Sequence, residues 1–381
     1  MDELYKITEV IEKHWMPEPH ICFSHKDISD VDRGGLCVLF KNLISCLQER
    51  GWRVSVITSQ KYSRPGLAVY EIGSEKDPII YSQHVSNILS RIEPDIAECS
   101  TWRFELLDFI ENHNKKTKTV VRCDPPSKIL FPTLGEDYVD AEKKLCRGAD
   151  LLIGVSNFAS AQIQKLYQVP MPVTIYNGIF VERPNGSNII DSGELVDMAS
   201  GETSPLKNYQ IDQFIDRNRK NIMWIGKSTL MKGFDYLEKL VESFSDKINF
   251  IINIGYSINE VSWKRENYSR CTFVRGLTKR DKLNLWNQTD GFISTSREEG
   301  FGITVIEAMS LGLPILLNSN CRVFSEFAQY PQISLCSIDD FDNFIKSILS
   351  MGPKNPGAPF PKEFSEAEMV TKSIMEYKKL L

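Results

Sequence analysis

The chain has 381 residues, 42% of them apolar and 25% charged, with a net charge of −5. That length exceeds a usual single core and the apolar content is enough to fill two, so two domains are expected, with no disordered tail. Mixed signs with a slight acidic excess exclude the basic footprint of a nucleic-acid binder.

The N-terminus, Met-Asp-Glu-Leu, lacks the basic and apolar run of a secretion signal, and no stretch of about 18 uninterrupted apolar residues occurs. The sequence therefore reads as that of a cytoplasmic protein that neither is secreted nor crosses a membrane. Leu4, Ile7, Ile11 and Trp15 share one face of a first helix, but Asp2, Glu3, Glu9 and Glu12 on it would be repelled by anionic lipid, so it is expected to pack on the protein. Pro19 to Ser24 reads as a strand and Asp30 to Gly35 as a loop. Leu36 to Arg50 follows as a helix with Leu36, Leu39, Leu43 and Leu47 on one face. Gly51 closes that helix, and Trp52 to Thr58 completes a βαβ unit. Further strands are expected at Ala97 to Ser100, Thr119 to Cys123, Leu151 to Val155 and Val173 to Tyr176, alternating with helices. The polar stretch from Val181 to Lys220 shows no periodicity and reads as linker; the first domain is set at 1–205 and the linker proper at 206–220. The second domain, 221–362, carries expected strands near Asn221 to Gly226, Ile248 to Ile254, Cys271 to Val274, Phe292 to Thr295, Ile315 to Asn318 and Ile333 to Cys336. Each is followed by a helix or turn, which argues for a parallel sheet. A last helix within 363–381 places Val370, Ile374, Tyr377 and Leu381 on one face. The nine cysteines are scattered without a Cys-x-x-Cys and read as reduced core residues.

One stretch carries chemistry. Gly291 to Thr295 is a short buried strand, Gly300-Phe301-Gly302 a turn, and Ile303 to Leu311 a helix, an arrangement that presents unpaired N–H groups and a positive dipole end to an anion. Glu299 lies before the turn at the carboxyl end of the strand, where ligands of open α/β sheets collect, and Glu307 lies about one turn inside the helix. Both can accept hydrogen bonds from hydroxyls. Earlier, the strand Asn221 to Gly226 runs into Lys227-Ser228-Thr229-Leu230-Met231-Lys232-Gly233, two cations placed to neutralise a diphosphate.

Two glutamates separated by seven residues around Gly-Phe-Gly, then Gly312-Leu313-Pro314, closely resemble the signature of retaining glycosyltransferases with the GT-B fold. The Gly34-Gly35 pair before the first long helix, Ala149 to Ser156 and Tyr176-Asn177-Gly178 are similar to other landmarks of that family. The resemblance implies an α/β fold of two Rossmann-like domains, their parallel sheets facing a central cleft and the last helix packing back on the first domain. It implies that Glu299 and the Gly300 to Gly302 backbone, with Ile303 and Thr304, meet the sugar and phosphates of a nucleotide sugar. It further implies that Glu307 holds the ribose, that Lys227 and Lys232 hold the diphosphate, that Gly34 and Gly35 face it, and that the Thr272 to Gly276 turn, Val274 included, meets the base. Lys227 stands where the family usually has Arg, which removes a bidentate fork. The activity implied is transfer of a hexose-type sugar from a UDP- or GDP-sugar, with retention and without a metal or other cofactor, to a hydroxyl of a glycan, lipid-linked or other acceptor. A lipid-linked acceptor would bring peripheral contact with the cytoplasmic face of a membrane. Trp102, Arg103, Glu105 and Arg122 are candidates for the acceptor side, with core packing the competing role of Trp102.

Where the family usually places a histidine, this sequence has Arg122-Cys123-Asp124. Three alternatives follow: Asp124 takes the acceptor-facing role, His25 approaches from another loop, or the enzyme does without; the Asp124 reading is adopted here. Asp30-Val31-Asp32 and Asp340-Phe341-Asp342 have the Asp-x-Asp form of metal-dependent transferases and read instead as turn and helix-start residues. Two rival functions remain: a non-catalytic sugar-nucleotide-binding partner of a glycosyltransferase, and a sugar-nucleotide epimerase of similar architecture.

Overall fold

The structure is a computed structural model and describes residues 18–30, 34–112, 116–255 and 261–381. The helix expected around Leu4 to Trp15 lies outside the described residues, as do Val31, Asp32 and Arg33.

In the first domain, β1 (His20–Ser24), β2 (Arg53–Thr58), β3 (Ala68–Glu71), β4 (Ile96–Ser100), β5 (Lys118–Cys123), β6 (Leu151–Gly154) and β7 (Val173–Thr174) form one parallel sheet in the order β3-β2-β1-β4-β5-β6-β7. Strand alternation divides its side chains between two cores: Ile21 and Phe23 pack with Phe40, Leu43 and Trp52, and Cys22 packs with Tyr81, Leu89 and Leu145. The helices that cover it start where the sequence supplies caps. Asp77 accepts from the Ile79 and Ile80 amides ahead of Pro78–Ile92, and Ser156 accepts from the Ala159 amide ahead of Asn157–Tyr167.

The stretch expected to be unstructured linker is a nested pair of hairpins. The strand β8 (Ile189–Ile190) pairs with β11 (Tyr209–Gln210), and inside them β9 (Glu194–Val196) pairs with β10 (Thr203–Pro205). These strands have two or three residues each, too few for a period to register in sequence. The strand β9 also pairs antiparallel with β14 (Thr272–Arg275), so residues 194–205 belong to the second sheet rather than to the first domain, and that sheet is mixed rather than wholly parallel. With β12 (Lys220–Gly226), β13 (Ile248–Ile254), β15 (Gly291–Ser294), β16 (Ile315–Asn318) and β17 (Ile333–Cys336) the order is β10-β9-β14-β13-β12-β15-β16-β17. Among the remaining neighbours the pairing is parallel. Strand order reverses between β1 and β4 in the first sheet and between β12 and β15 in the second, the points where open α/β sheets open a crevice at their carboxyl ends.

The final helix, Glu366–Lys378, capped by Ser365, packs back on the first domain as expected, with Met369, Val370 and Tyr377 buried beside Phe40 and Trp52. The two domains share a core at the base of the cleft. Val155, Ala159 and Ile179 of the first join Phe301, Val305, Phe324 and Phe327 of the second, and Tyr176 stacks on Phe301 with ring centres 5.6 Å apart.

Candidate functional site

The loops after β12 and β15, one on each side of the second sheet's switch point, are fastened together. Thr295 Oγ1 accepts from Trp224 Nε1 and donates to the Lys232 carbonyl, both at 2.9 Å. The Arg297 amide donates to the Met231 carbonyl at 2.8 Å, and its guanidinium grips both carboxylate oxygens of Asp235 at 2.7 and 2.9 Å. This pinning places Lys232 Nζ 2.6 Å from Glu299 Oε1, which also accepts from Ser296 Oγ at 2.8 Å. The two oppositely charged residues that the sequence singled out are thus direct partners at the mouth of the cleft. Lys227, on the same loop, is exposed. Thr295 and Arg297 escaped the sequence reading because their partners lie more than sixty residues away.

After Glu299 the chain makes the glycine turn. Gly302 has φ +107°, a backbone state that side chains rarely adopt, and its turn starts the helix Ile303–Ser310. The Phe301 ring is buried in the core between domains, so what this residue offers the cleft is backbone. The Ile303 side chain reaches across: a β-carbon on Gly35 would sit 2.9 Å from its Cδ1. Gly34 and Gly35 open the helix Gly35–Glu49, with Gly34 as its N-cap and, among the described residues, no side-chain hydrogen bond capping it. Two helix N-termini, one from each domain, therefore converge on the same crevice, and both bring positive dipole ends.

Asp124 arrives from the first domain at the end of β5. A β-carbon on Gly300 would lie 2.6 Å from its Oδ1, so the glycine is what lets the carboxyl pack against the turn of the opposite domain. Burial, and then the charge of Glu299, push its pKa up to about 6, with Lys232 and Arg122 opposing. Two interdomain contacts absent from the sequence reading flank it. Ser156 Oγ donates to the Gly300 carbonyl at 3.0 Å. Glu326 accepts from the amides of Asn157 and Phe158 at 3.2 and 2.7 Å and from Tyr176 Oη at 2.8 Å, neutralising a helix N-terminus of the facing domain.

Glu307 sits on the helix Ile303–Ser310, nearly buried, with Oε1 2.7 Å from Lys282 Nζ. The Val274 side chain points into the core. The turn that follows it is lined by the inserted hairpin: Gly193 packs on the Arg275 carbonyl, and Arg275 pairs with Glu194 at 2.8 Å.

The candidates for the acceptor side divide. Arg122 is fully buried: its Nε donates to Glu98 at 2.8 Å, and its Nη2 donates to Ser373 Oγ and Tyr377 Oη of the last helix at 3.3 and 3.4 Å. It joins the C-terminal helix to the first domain and cannot touch an acceptor. Glu105 is 1% exposed and accepts from Ser24 Oγ at 2.6 Å and the Lys26 amide at 2.9 Å, tying the loop after β4 to the end of β1. Burial raises its pKa to about 7, but no acceptor reaches it. Both were drawn to the site by sequence because each follows or ends a strand on the carboxyl edge, where side-chain direction is not legible. Trp102 packs against Phe131 and Tyr138 and is only partly exposed. Arg103, at φ 65°, donates to the Lys76 carbonyl at 2.7 Å. His25 is set aside as a substitute base: its ring is buried against Phe40, and burial drops its pKa to about 4. Asp340 caps the helix Phe341–Leu349 by accepting from the Asn343 amide, as expected of a helix-start residue. Among the described residues no helix is long and apolar enough to cross a membrane.

A pair of Rossmann-like domains brings cations, carboxylates and two helix N-termini together where the domains meet. Family comparison makes this specific. The family described as Glycosyltransferase Family 4 matches residues 33–183, and that described as Glycosyl transferases group 1 matches residues 207–352. The chain belongs to the GT-B glycosyltransferases. The Escherichia coli UDP-Gal:alpha-D-GlcNAc-diphosphoundecaprenol alpha-1,3-galactosyltransferase is 24% identical over 197 residues, 49% of this chain and 47% of that protein. The chain spans less than half the length of the curated relatives it matches. Among solved structures, the sucrose-phosphate synthase of Thermosynechococcus elongatus superposes with a TM-score of 0.71 at 15% identity, covering 95% of this chain and 99% of that one. Anabaena HepE in complex with UDP-glucose superposes at 0.66 and 14% identity, covering 95% and 100%.

Proposed function

We propose that the chain transfers a hexose from a nucleoside-diphosphate sugar to a hydroxyl of a glycan or lipid-linked glycan, with retention of configuration. The observation that carries this reading is the meeting of Lys232, Glu299, the Gly300 to Gly302 turn and Asp124 across one cleft. A UDP-linked donor is favoured over a GDP-linked one by the donor in the name of the E. coli relative and by the UDP-glucose in the HepE complex.

In this scheme the bond from the anomeric carbon to the diphosphate oxygen breaks while the acceptor oxygen bonds to the same face, and the acceptor's proton passes to the departing phosphate. The charge that develops on the leaving diphosphate falls between Lys232, Lys227 and the two helix N-termini, so the reading needs no metal to neutralise it. Fixed donors aimed at such charge contribute about 3–4 kcal/mol each in other enzymes. Asp124 accepts a hydrogen bond from the attacking hydroxyl and orients it. Glu299 meets the transferred sugar, held by Ser296 and Lys232.

The test is transfer. The chain is incubated with UDP-, GDP- and ADP-hexoses and a panel of free, lipid-linked and polymeric glycans, and the product's anomeric configuration is read by NMR. An α-linked product from an α-linked donor, lost in Glu299→Ala and Lys232→Ala, is expected. Nucleotide binding without transfer on any acceptor would favour the non-catalytic reading, and inversion would remove retention while leaving a transferase.

A further inference from the structure

Between the turn expected to meet the base and the helix expected to meet the ribose lies an ion pair with no counterpart in the sequence motifs. Lys282 belongs to the helix Lys279–Asn287, which Thr278 caps immediately after the Gly276 turn that ends β14. Its Nζ lies 2.7 Å from Glu307 Oε1, with side chains only 18% and 10% exposed. The next residue back, Asp281, is buried and accepts from Ser192 Oγ at 2.5 Å and from the Asp191 amide at 3.2 Å, so the start of this helix is anchored to the inserted hairpins. Lys282 is thereby delivered to Glu307 by a helix that cannot easily shift.

We propose that Lys282 is a positioning and specificity residue for the donor's ribose, giving the nucleoside subsite a cationic hydrogen-bond donor beside the carboxylate acceptor. The inference rests on the reading that Glu307 faces the nucleotide sugar. A carboxylate alone can only accept, and it would hold two neighbouring hydroxyls equally. An ammonium bonded to one of its oxygens changes the match: the carboxylate accepts a hydrogen bond from one ribose hydroxyl, and the ammonium, which has further N–H groups to give, donates to the oxygen of the other. The pair fixes the carboxylate rotamer and makes the subsite complementary to a vicinal diol. Such a buried pair adds little net stability, because desolvation offsets its attraction. Its selective value lies in what it orients.

The experiment is calorimetric titration of whichever of UDP, GDP and ADP binds the parent, beside its 2′-deoxy counterpart, in parent, Lys282→Ala and Lys282→Arg. A hydrogen bond to a charged group corresponds to roughly 10- to 100-fold in affinity. The parent should prefer the ribonucleotide by about that factor. Lys282→Ala should bind it at least about tenfold more weakly and discriminate only about threefold or less, and Lys282→Arg should regain much of the discrimination. Where Lys282→Ala does not fold, Lys282→Met removes every N–H donor while keeping the bulk of the stem and should show the same narrowing. In a transfer assay the loss should fall on the KM for the donor, with kcat within about threefold at saturation. A parent that binds nucleotide while Lys282→Ala keeps both the affinity and the ribose preference overturns the role of Lys282 and leaves the donor site standing. A folded parent that binds none of the three overturns both.

Discussion

Replacing Arg122 distinguishes a residue that touches an acceptor from one that holds the fold. Its guanidinium is fully buried, bonded to an equally buried Glu98 and to Ser373 and Tyr377 on the last helix, while Tyr377 Oη donates to Glu98. Arg122→Ala leaves the Glu98 carboxylate without its countercharge, a change that costs about 3–5 kcal/mol in other buried pairs. At about 2–4 °C per kcal/mol for domains of this size, the first domain's melting temperature should fall by roughly 6–20 °C. Arg122→Met with Glu98→Gln removes both charges together, keeps a partner for Tyr377, and should recover most of the loss, a coupling expected of contacting residues. Differential scanning calorimetry reads all three proteins, and acceptor KM is measured well below the variant's melting point, where it should equal the parent's. A melting temperature unchanged within about 2 °C together with a raised acceptor KM would refute the structural role and return Arg122 to the acceptor site.

Other substitutions test the cleft. Gly300→Ala puts a β-carbon 2.6 Å from Asp124 Oδ1 without forcing the backbone, so closure rather than folding should suffer: kcat/KM should drop roughly 5- to 160-fold, the equivalent of about 1–3 kcal/mol of overpacking, with the melting temperature nearly unchanged. Asp124 has a raised pKa, so its effect on stability is most favourable below its unfolded value near 4 and is lost as pH rises through about 6; Asp124→Asn should therefore gain thermal stability relative to the parent between pH 4 and 7. Activity runs the other way, since it is the ionised carboxylate that accepts the hydrogen bond orienting the attacking hydroxyl, and the parent's kcat/KM should fall on acidification through about pH 6 while Asp124→Asn is low and flat. Glu326→Ala strips three hydrogen bonds from the interdomain contact and should shift small-angle scattering toward a more open molecule; an unchanged profile would show that the apolar core at the base of the cleft suffices.

What the sequence made legible follows from the range of the interactions concerned. The helix Gly35–Glu49, the buried strand β15 and the glycine turn at 300–302 are set by local rules: apolar period, breaker residues and, in the turn, a glycine at 302 where φ is positive. These rules place Glu299 and Lys232 on the carboxyl ends of neighbouring strands. Direction at the strand end is not local. Arg122 near the end of β5 and Asp124 just beyond it are two residues apart, yet Asp124 packs against the facing domain and Arg122 is sealed under the last helix by residues some 250 positions later. The inserted hairpins were invisible for a related reason. Strands of two and three residues derive their order from β14 and from Asp281, not from any pattern of their own, and a short polar segment that borrows a sheet edge reads in isolation as a loop. Lys282 combines both difficulties: it lies on a helix of ordinary composition, and only the anchoring of that helix by the hairpins and the approach of Ile303–Ser310 put its ammonium against Glu307. The elements that bring the reactive groups to the cleft are thus encoded nearby, while the partners that decide their charge and orientation come from elsewhere in the chain.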